Sequence, residues 1–210
     1  MNAKNETEIF TAAESEANHN LYLKRMASYK KYGLNQALLR ESVIRQIDSD
    51  CNSILEIGTG KGYLAAMLGH KFDRIISVDS SPADRRVAML NAAHSRSLDR
   101  IDFITADASD LVYPDKNFDT VVSAFTFHHL DLPFRVIREM TRLARNQIII
   151  SDFTERGFYV VDQVHRHEGG RHERKPVDFD IVGIYLKEFN FDVRIIEDEW
   201  QIIYSARRRC

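Results

Sequence analysis

Glu56-Ile57-Gly58-Thr59-Gly60-Lys61-Gly62 follows the apolar run Ser53-Ile54-Leu55 and precedes a helical pattern that opens at Tyr63. Glycines at a strand-to-helix turn permit a sharp bend and let a ligand approach the main chain with no Cβ in the way. The spacing excludes two phosphate sites. A P-loop carries Ser or Thr after its lysine, whereas Lys61 is followed by Gly62. A dinucleotide fingerprint would place its third glycine at position 63, which is Tyr63.

Outward from that turn, short apolar runs alternate with helical stretches. Strands are expected over Ser53–Ile57, Arg74–Val78, Ile101–Thr105, Phe118–Ser123 and Gln147–Ser151, with helices over Tyr63–His70, Ser81–His94 and Phe134–Ala144. This alternation predicts a parallel sheet with right-handed crossovers, an α/β fold. The tail reads as a helix over Asp178–Glu188 and strands over Phe191–Ile196 and Gln201–Ser205. The four residues between those strands cannot hold a parallel crossover, so an antiparallel hairpin is expected. At the other end, residues 1–19 read as frayed helix or disorder, and Leu21–Ile47 as helix interrupted at Gly33. Residues 1–50 are thus a helical cap, and 51–210 one domain with a polar, His-rich, lid-like insertion over 154–177.

Composition narrows the function. At 210 residues, with 44% hydrophobic and 29% charged, the chain can bury one substantial core. Its 29 basic and 31 acidic residues argue against a surface built for nucleic acid or anionic membrane. Arg207-Arg208-Arg209 reads as a solvated end. No apolar run approaches a membrane span, and Met1–Glu6 lacks the features of a signal peptide. Two cysteines, Cys51 and Cys210, make neither a disulfide framework nor a four-cysteine zinc site, which points to the reducing cytoplasm.

Two more strand ends carry carboxylates. Asp79 follows Gly58 by 21 residues, close to the ~20 expected of an acid that accepts both ribose hydroxyls. The competing reading is a cap for the helix at Ser81-Pro82. Asp107, beside Ala108, can accept from an exocyclic amine next to a small residue that leaves room for a ring. Ligands of open α/β sheets bind along this edge.

With these parts in place the chain resembles the class I S-adenosylmethionine-dependent methyltransferases, of the small-molecule group that includes quinone-biosynthesis enzymes. The likeness rests on Glu56-x-Gly58-x-Gly60-x-Gly62, Asp79, Asp107, Phe118–Ser123, Ala124-Phe125-Thr126-Phe127-His128-His129-Leu130 and the terminal hairpin. It implies a Rossmann-like, doubly wound sheet of seven strands, mainly parallel with the last antiparallel. It implies S-adenosylmethionine held by Glu56, Gly58, Thr59, Gly60, Gly62, Asp79, Ser80, Asp107, Ala108 and Phe125, and methyl transfer to a small acceptor. The Asn/Asp-Pro-Pro-Tyr/Phe tetrapeptide of many DNA, RNA and protein-amide methyltransferases is absent, replaced by Ser123-Ala124-Phe125-Thr126. A macromolecular acceptor, a non-catalytic cofactor-binding module and a nicotinamide oxidoreductase are the competing functions.

His128 and His129 follow the fourth strand, where one imidazole could take a proton from the acceptor; the resemblance also allows a purely structural role. For the cleft's cover, Tyr29 and Tyr32 offer aromatic surface, and His165, His167, Arg171 and His172 offer polar contacts suited to an anionic acceptor. The histidines and glutamates of 165–173 have metal-ligand chemistry, but Arg166, Arg171, Arg174 and Lys175 among them favour a mobile polar lid with no metal, hinged at Gly157 and Gly169-Gly170.

Overall fold

The computed structural model describes residues 10–175 and 177–209. Seven strands, β1 (Ile54–Ile57), β2 (Ile75–Asp79), β3 (Ile101–Thr105), β4 (Phe118–Ala124), β5 (Ala144–Phe153), β6 (Phe191–Glu197) and β7 (Gln201–Arg208), form one sheet in the order β3-β2-β1-β4-β5-β7-β6. β1 to β5 pair in parallel, and β7 runs antiparallel between β5 and β6. The expected fold is the observed one.

Both faces are covered because the central strands are apolar on both sides. Helices α2 (Gln36–Ile44), α3 (Tyr63–Leu68) and α4 (Pro82–His94) bury Val43, Leu64, Leu68 and Met89 with Ile54, Ile75 and Phe103 on one face. Helices α5 (Pro133–Leu143) and α7 (Phe179–Glu188) bury Ile137, Met140, Val182 and Leu186 with Leu55, Val121 and Ile148 on the other.

Three expectations are corrected. Of the polar N-terminus, residues 1–9 lie outside the described residues, but helix α1 (Ala12–Lys31) already begins at Ala12. A capping box starts it: the Thr11 hydroxyl accepts from the Glu14 amide, and the Glu14 carboxylate accepts from the Thr11 amide. The basic tail is strand rather than a loose end. Arg208 donates to Thr141 O at 2.6 Å and Ala144 O at 2.8 Å and lies over the Phe191 ring, while Arg209 pairs with Asp192 and Arg207 with Asp48. Cys210 lies outside the described residues.

The third correction concerns 154–177. Its first half is helix α6 (Glu155–His167), capped by the Thr154 hydroxyl, which accepts from the Gly157 amide at 3.2 Å. Phe158, Val160, Val161 and Val164 pack with Tyr29, Leu34, Leu39 and Phe153 in a third apolar cluster. Gly157 is therefore no hinge; a Cβ there would lie 2.3 Å from Trp200 O. The rest of the segment is irregular but tied down. Gly170 N donates to His165 O, Lys175 N donates to His128 O, and Arg174 pairs with Glu155.

Candidate active site

Parallel pairing puts the ends of β1 to β4 at one edge, and a cleft of about 540 Å³ opens there. Its floor is made of residues 56–61, 79–81, 106–108 and 124–126; its cover comes from Arg25, Met26 and Tyr29 of α1 and Gln36 and Arg40 of α2.

The glycine turn is shaped by contacts on both sides. Gly58 sits at φ +82°, and a Cβ on it would lie 2.2 Å from Thr126 Oγ1, so both backbone and space require glycine. Around Gly60 a Cβ would meet nothing within 4 Å, and its amide donates to Asp79 Oδ2 at 2.7 Å. Gly62 does not line the cleft, against expectation. Its missing Cβ would lie 2.6 Å from the Ala88 Cβ, so its role is the close approach of α3 to α4.

The three acids differ in setting. Glu56 is 1% exposed and accepts the Ser77 hydroxyl at 2.5 Å. Burial pushes its carboxyl up to about 8, against the pull of the Ser77 bond and the Arg40 charge. Asp79 Oδ1 accepts the Ser81 amide at 2.9 Å, yet the cap of α4 is Ser81 itself, whose hydroxyl accepts from Asp84 N at 3.2 Å. The Asp79 carboxylate keeps lone pairs free toward the cleft. Asp107 Oδ1 accepts the Ser109 amide at 2.8 Å, and that backbone hydrogen bond holds its pKa below the usual range. Ala106, Ala108, Leu130 and Val136 make the apolar lining around it.

Ser80 and Phe125 also line the cleft. Phe125 holds φ 58°, stacks on Phe153 with ring centroids 4.3 Å apart, and faces the Arg40 guanidinium at 5.2 Å. On its other side Arg40 lies 5.4 Å from the Tyr63 ring, and its Nη1 donates to Gln36.

At the other end of the cleft stand His128, His129, His165 and His172. His128 is buried, and its Nδ1 lies 2.7 Å from Asp152 Oδ1. Partial burial, with the rings of His128 and His172 beside it, pushes His129 down to about 4. The His165 Nε2 accepts from Arg25 at 3.0 Å. Of the expected cover residues, Tyr29, His165 and His172 line the cleft, whereas Tyr32, His167 and Arg171 do not. Tyr32 and His167 meet each other outside it, and Arg171 is exposed. Arg25, Arg40 and Asp152 were not anticipated. Asp152 alone carried a legible signal, an acid near the end of a strand as at Glu56 and Asp79.

Residues 55–150 match the family model described as a methyltransferase domain. The ubiquinone/menaquinone biosynthesis C-methyltransferase UbiE of Pseudomonas putida (strain GB-1) is 34% identical over 113 residues. That match covers 50% of this chain and 43% of the relative, so less than half of the relative's length is spanned. Among solved structures, magnesium protoporphyrin IX methyltransferase (ChlM) from Synechocystis PCC 6803 with bound SAH shares the fold at TM-score 0.64 and 14% identity, covering 96% of this chain and 89% of that one. The [4+2]-cyclase SpnF does so at TM-score 0.66 and 15% identity, covering 83% and 82%. No helix among the described residues is long and apolar enough to cross a membrane. Sheet order, glycine turn and strand-end acids agree with these matches: residues 55–150 match a methyltransferase domain, and the chain shares the fold of solved S-adenosylmethionine-dependent methyltransferases.

Proposed function

We propose that the chain transfers a methyl group from S-adenosylmethionine to a small-molecule acceptor, leaving S-adenosylhomocysteine. The observation that carries this is the pair of acids, Asp79 at the end of β2 and Asp107 just past the end of the adjacent β3, beside the Gly58–Gly60 turn. Carboxylates there accept from ribose hydroxyls and from an adenine amine.

The donor set fits the whole cofactor. Asp79 suits the ribose, Asp107 with Ala106 and Ala108 the adenine, and Arg40 and Glu56 the methionine carboxylate and ammonium. When bound, the cofactor supplies a methyl group already activated by its sulfonium. The protein's part is alignment and exclusion of water. Tyr29, Met26, Phe125 and Phe153 close the cleft with apolar surface. His128, oriented by Asp152, and His129 form the acceptor end, where an imidazole nitrogen can receive a proton. Arg25 and Lys61 favour an anionic acceptor. Residues 154–177 act as part of the cover, and a cytoplasmic setting suits the free thiol of Cys51.

Calorimetry with S-adenosylmethionine, S-adenosylhomocysteine and NAD tests the site. Binding of both sulfur compounds and not NAD is expected, and no heat from either at millimolar concentration would end the proposal. Release of S-adenosylhomocysteine across an acceptor library separates an enzyme from a binding module.

A further inference from the structure

His128 and His129 come from the turn after β4, and His172 from the segment after α6, 43 residues further along. The fold brings one ring nitrogen from each within 4.8 Å of the others. Each ring is also held from behind. His128 Nδ1 lies 2.7 Å from Asp152 Oδ1, His129 Nδ1 lies 3.1 Å from Glu173 O, and His172 Nδ1 lies 2.9 Å from Asp162 Oδ1. Carboxylates and carbonyls only accept, so in all three rings Nδ1 carries a hydrogen and Nε2 is the nitrogen left to face a ligand. No donor among the described residues reaches any of those Nε2 atoms.

Imidazoles that each donate one N–H to an oxygen behind them are the arrangement by which proteins orient histidine ligands. We infer that His128, His129 and His172 bind a divalent transition-metal ion of the zinc class. A tetrahedral ion with N–metal bonds of ~2.0–2.1 Å needs ligand nitrogens ~3.3 Å apart, so the three rings must draw closer to hold it. His172, on an irregular segment, can supply that movement. The charge balance suits a cation. Asp152 and Asp162 lie directly behind two of the ligands, while the nearby Arg174 and Lys175 are engaged by Glu155 and Asp131. This set differs from the run at 165–173: His165 is turned to Arg25, and His167 lies outside the cleft.

Three protein ligands leave a fourth position open, and all three histidines line the cleft. With the ion in place the imidazoles no longer take up the proton themselves: an acceptor hydroxyl or enol oxygen bound there would lose it to water at lower pH and be held as a nucleophile. That role rests on the methyl-transfer reading; metal binding does not.

The test is titration of chelator-treated protein with Zn²⁺ by calorimetry, and with Co²⁺ by visible absorption, alongside S-adenosylhomocysteine binding. One Zn²⁺ per chain with micromolar or tighter affinity is expected, together with the intense visible band of tetrahedral cobalt. His129→Ala and His172→Ala should each weaken Zn²⁺ at least 100-fold, and Asp162→Asn, which keeps the ligand, about 10–100-fold. His70→Gln should change nothing. Thermal melting of each variant without metal separates loss of a ligand from loss of the fold. Zn²⁺ binding that His129→Ala and His172→Ala leave intact, or no binding at micromolar concentration, overturns the inference. Zn²⁺ bound without S-adenosylhomocysteine supports the metal site and removes the methyl-transfer reading instead.

Discussion

Ser77 stands directly opposite Glu56 in the β1–β2 pairing, and its hydroxyl donates to the Glu56 carboxyl at 2.5 Å. The same hydroxyl lies 2.6 Å from that of Thr59. One register pair thus ties a buried acid to the glycine turn and lets the cleft sense the acid's charge.

Glu56 makes stability depend on pH. Its folded pKa, about 8, is raised by burial above the ordinary 4.5. Between those values the unfolded chain has released a proton that the folded chain keeps, so its contribution falls as pH rises from 4.5 to 8, by up to roughly 5 kcal/mol. Glu56→Gln should flatten this slope in denaturant titrations from pH 5 to 8. Binding of cationic S-adenosylmethionine near pH 7 should release a proton, read as a binding heat that varies with buffer ionisation enthalpy.

Gly58→Ala combines an unfavourable φ with a clash against Thr126. A loss of about 2–4 kcal/mol is expected in chemical denaturation. Adding Thr126→Ala should recover only part of the loss, because the Thr126 Cβ, 2.7 Å from the new methyl, and the unfavourable φ both remain.

Asp79→Ala removes acceptors from Gly60 N and Ser81 N but leaves the Ser81 cap of α4 intact. Folding should weaken by about 1–2 kcal/mol and S-adenosylhomocysteine affinity by at least ~30-fold. Unchanged affinity with a lower melting point would make Asp79 a purely structural residue.

Arg40→Met keeps an apolar stem between Tyr63 and Phe125 while removing the charge. Affinity for S-adenosylmethionine should fall by about 10–100-fold, and affinity for its decarboxylated analogue by much less. An equal fall for both would mean that Arg40 supports the cleft without touching the methionine carboxylate.

The sheet was legible because strand-to-helix turns, strand-end acids and the short final connection are local signals. Gly58 and Asp79 end neighbouring strands at the expected interval. The cover was harder to read. Arg25 and Arg40 sit on helices where a charged residue looks solvated, and only the packing of α1 and α2 turns them over the cleft. Helix α6 was masked by its charged residues, although Phe158, Val161 and Val164 recur at helical spacing and are buried. The meeting of His172 with His128 depends on a loop path that no periodicity encodes.

The placement of β7 has a consequence during synthesis. The last strand is an interior one, lying between β5 and β6. Until Arg208 has emerged, β5 keeps an unpaired flank carrying Ile148, Ile149 and Ile150, and β6 has no partner. Such a flank can pair with other nascent chains. Ribosome-bound intermediates halted before Gln201 should therefore be aggregation-prone, and pairing of β7 with both neighbours should relieve that tendency.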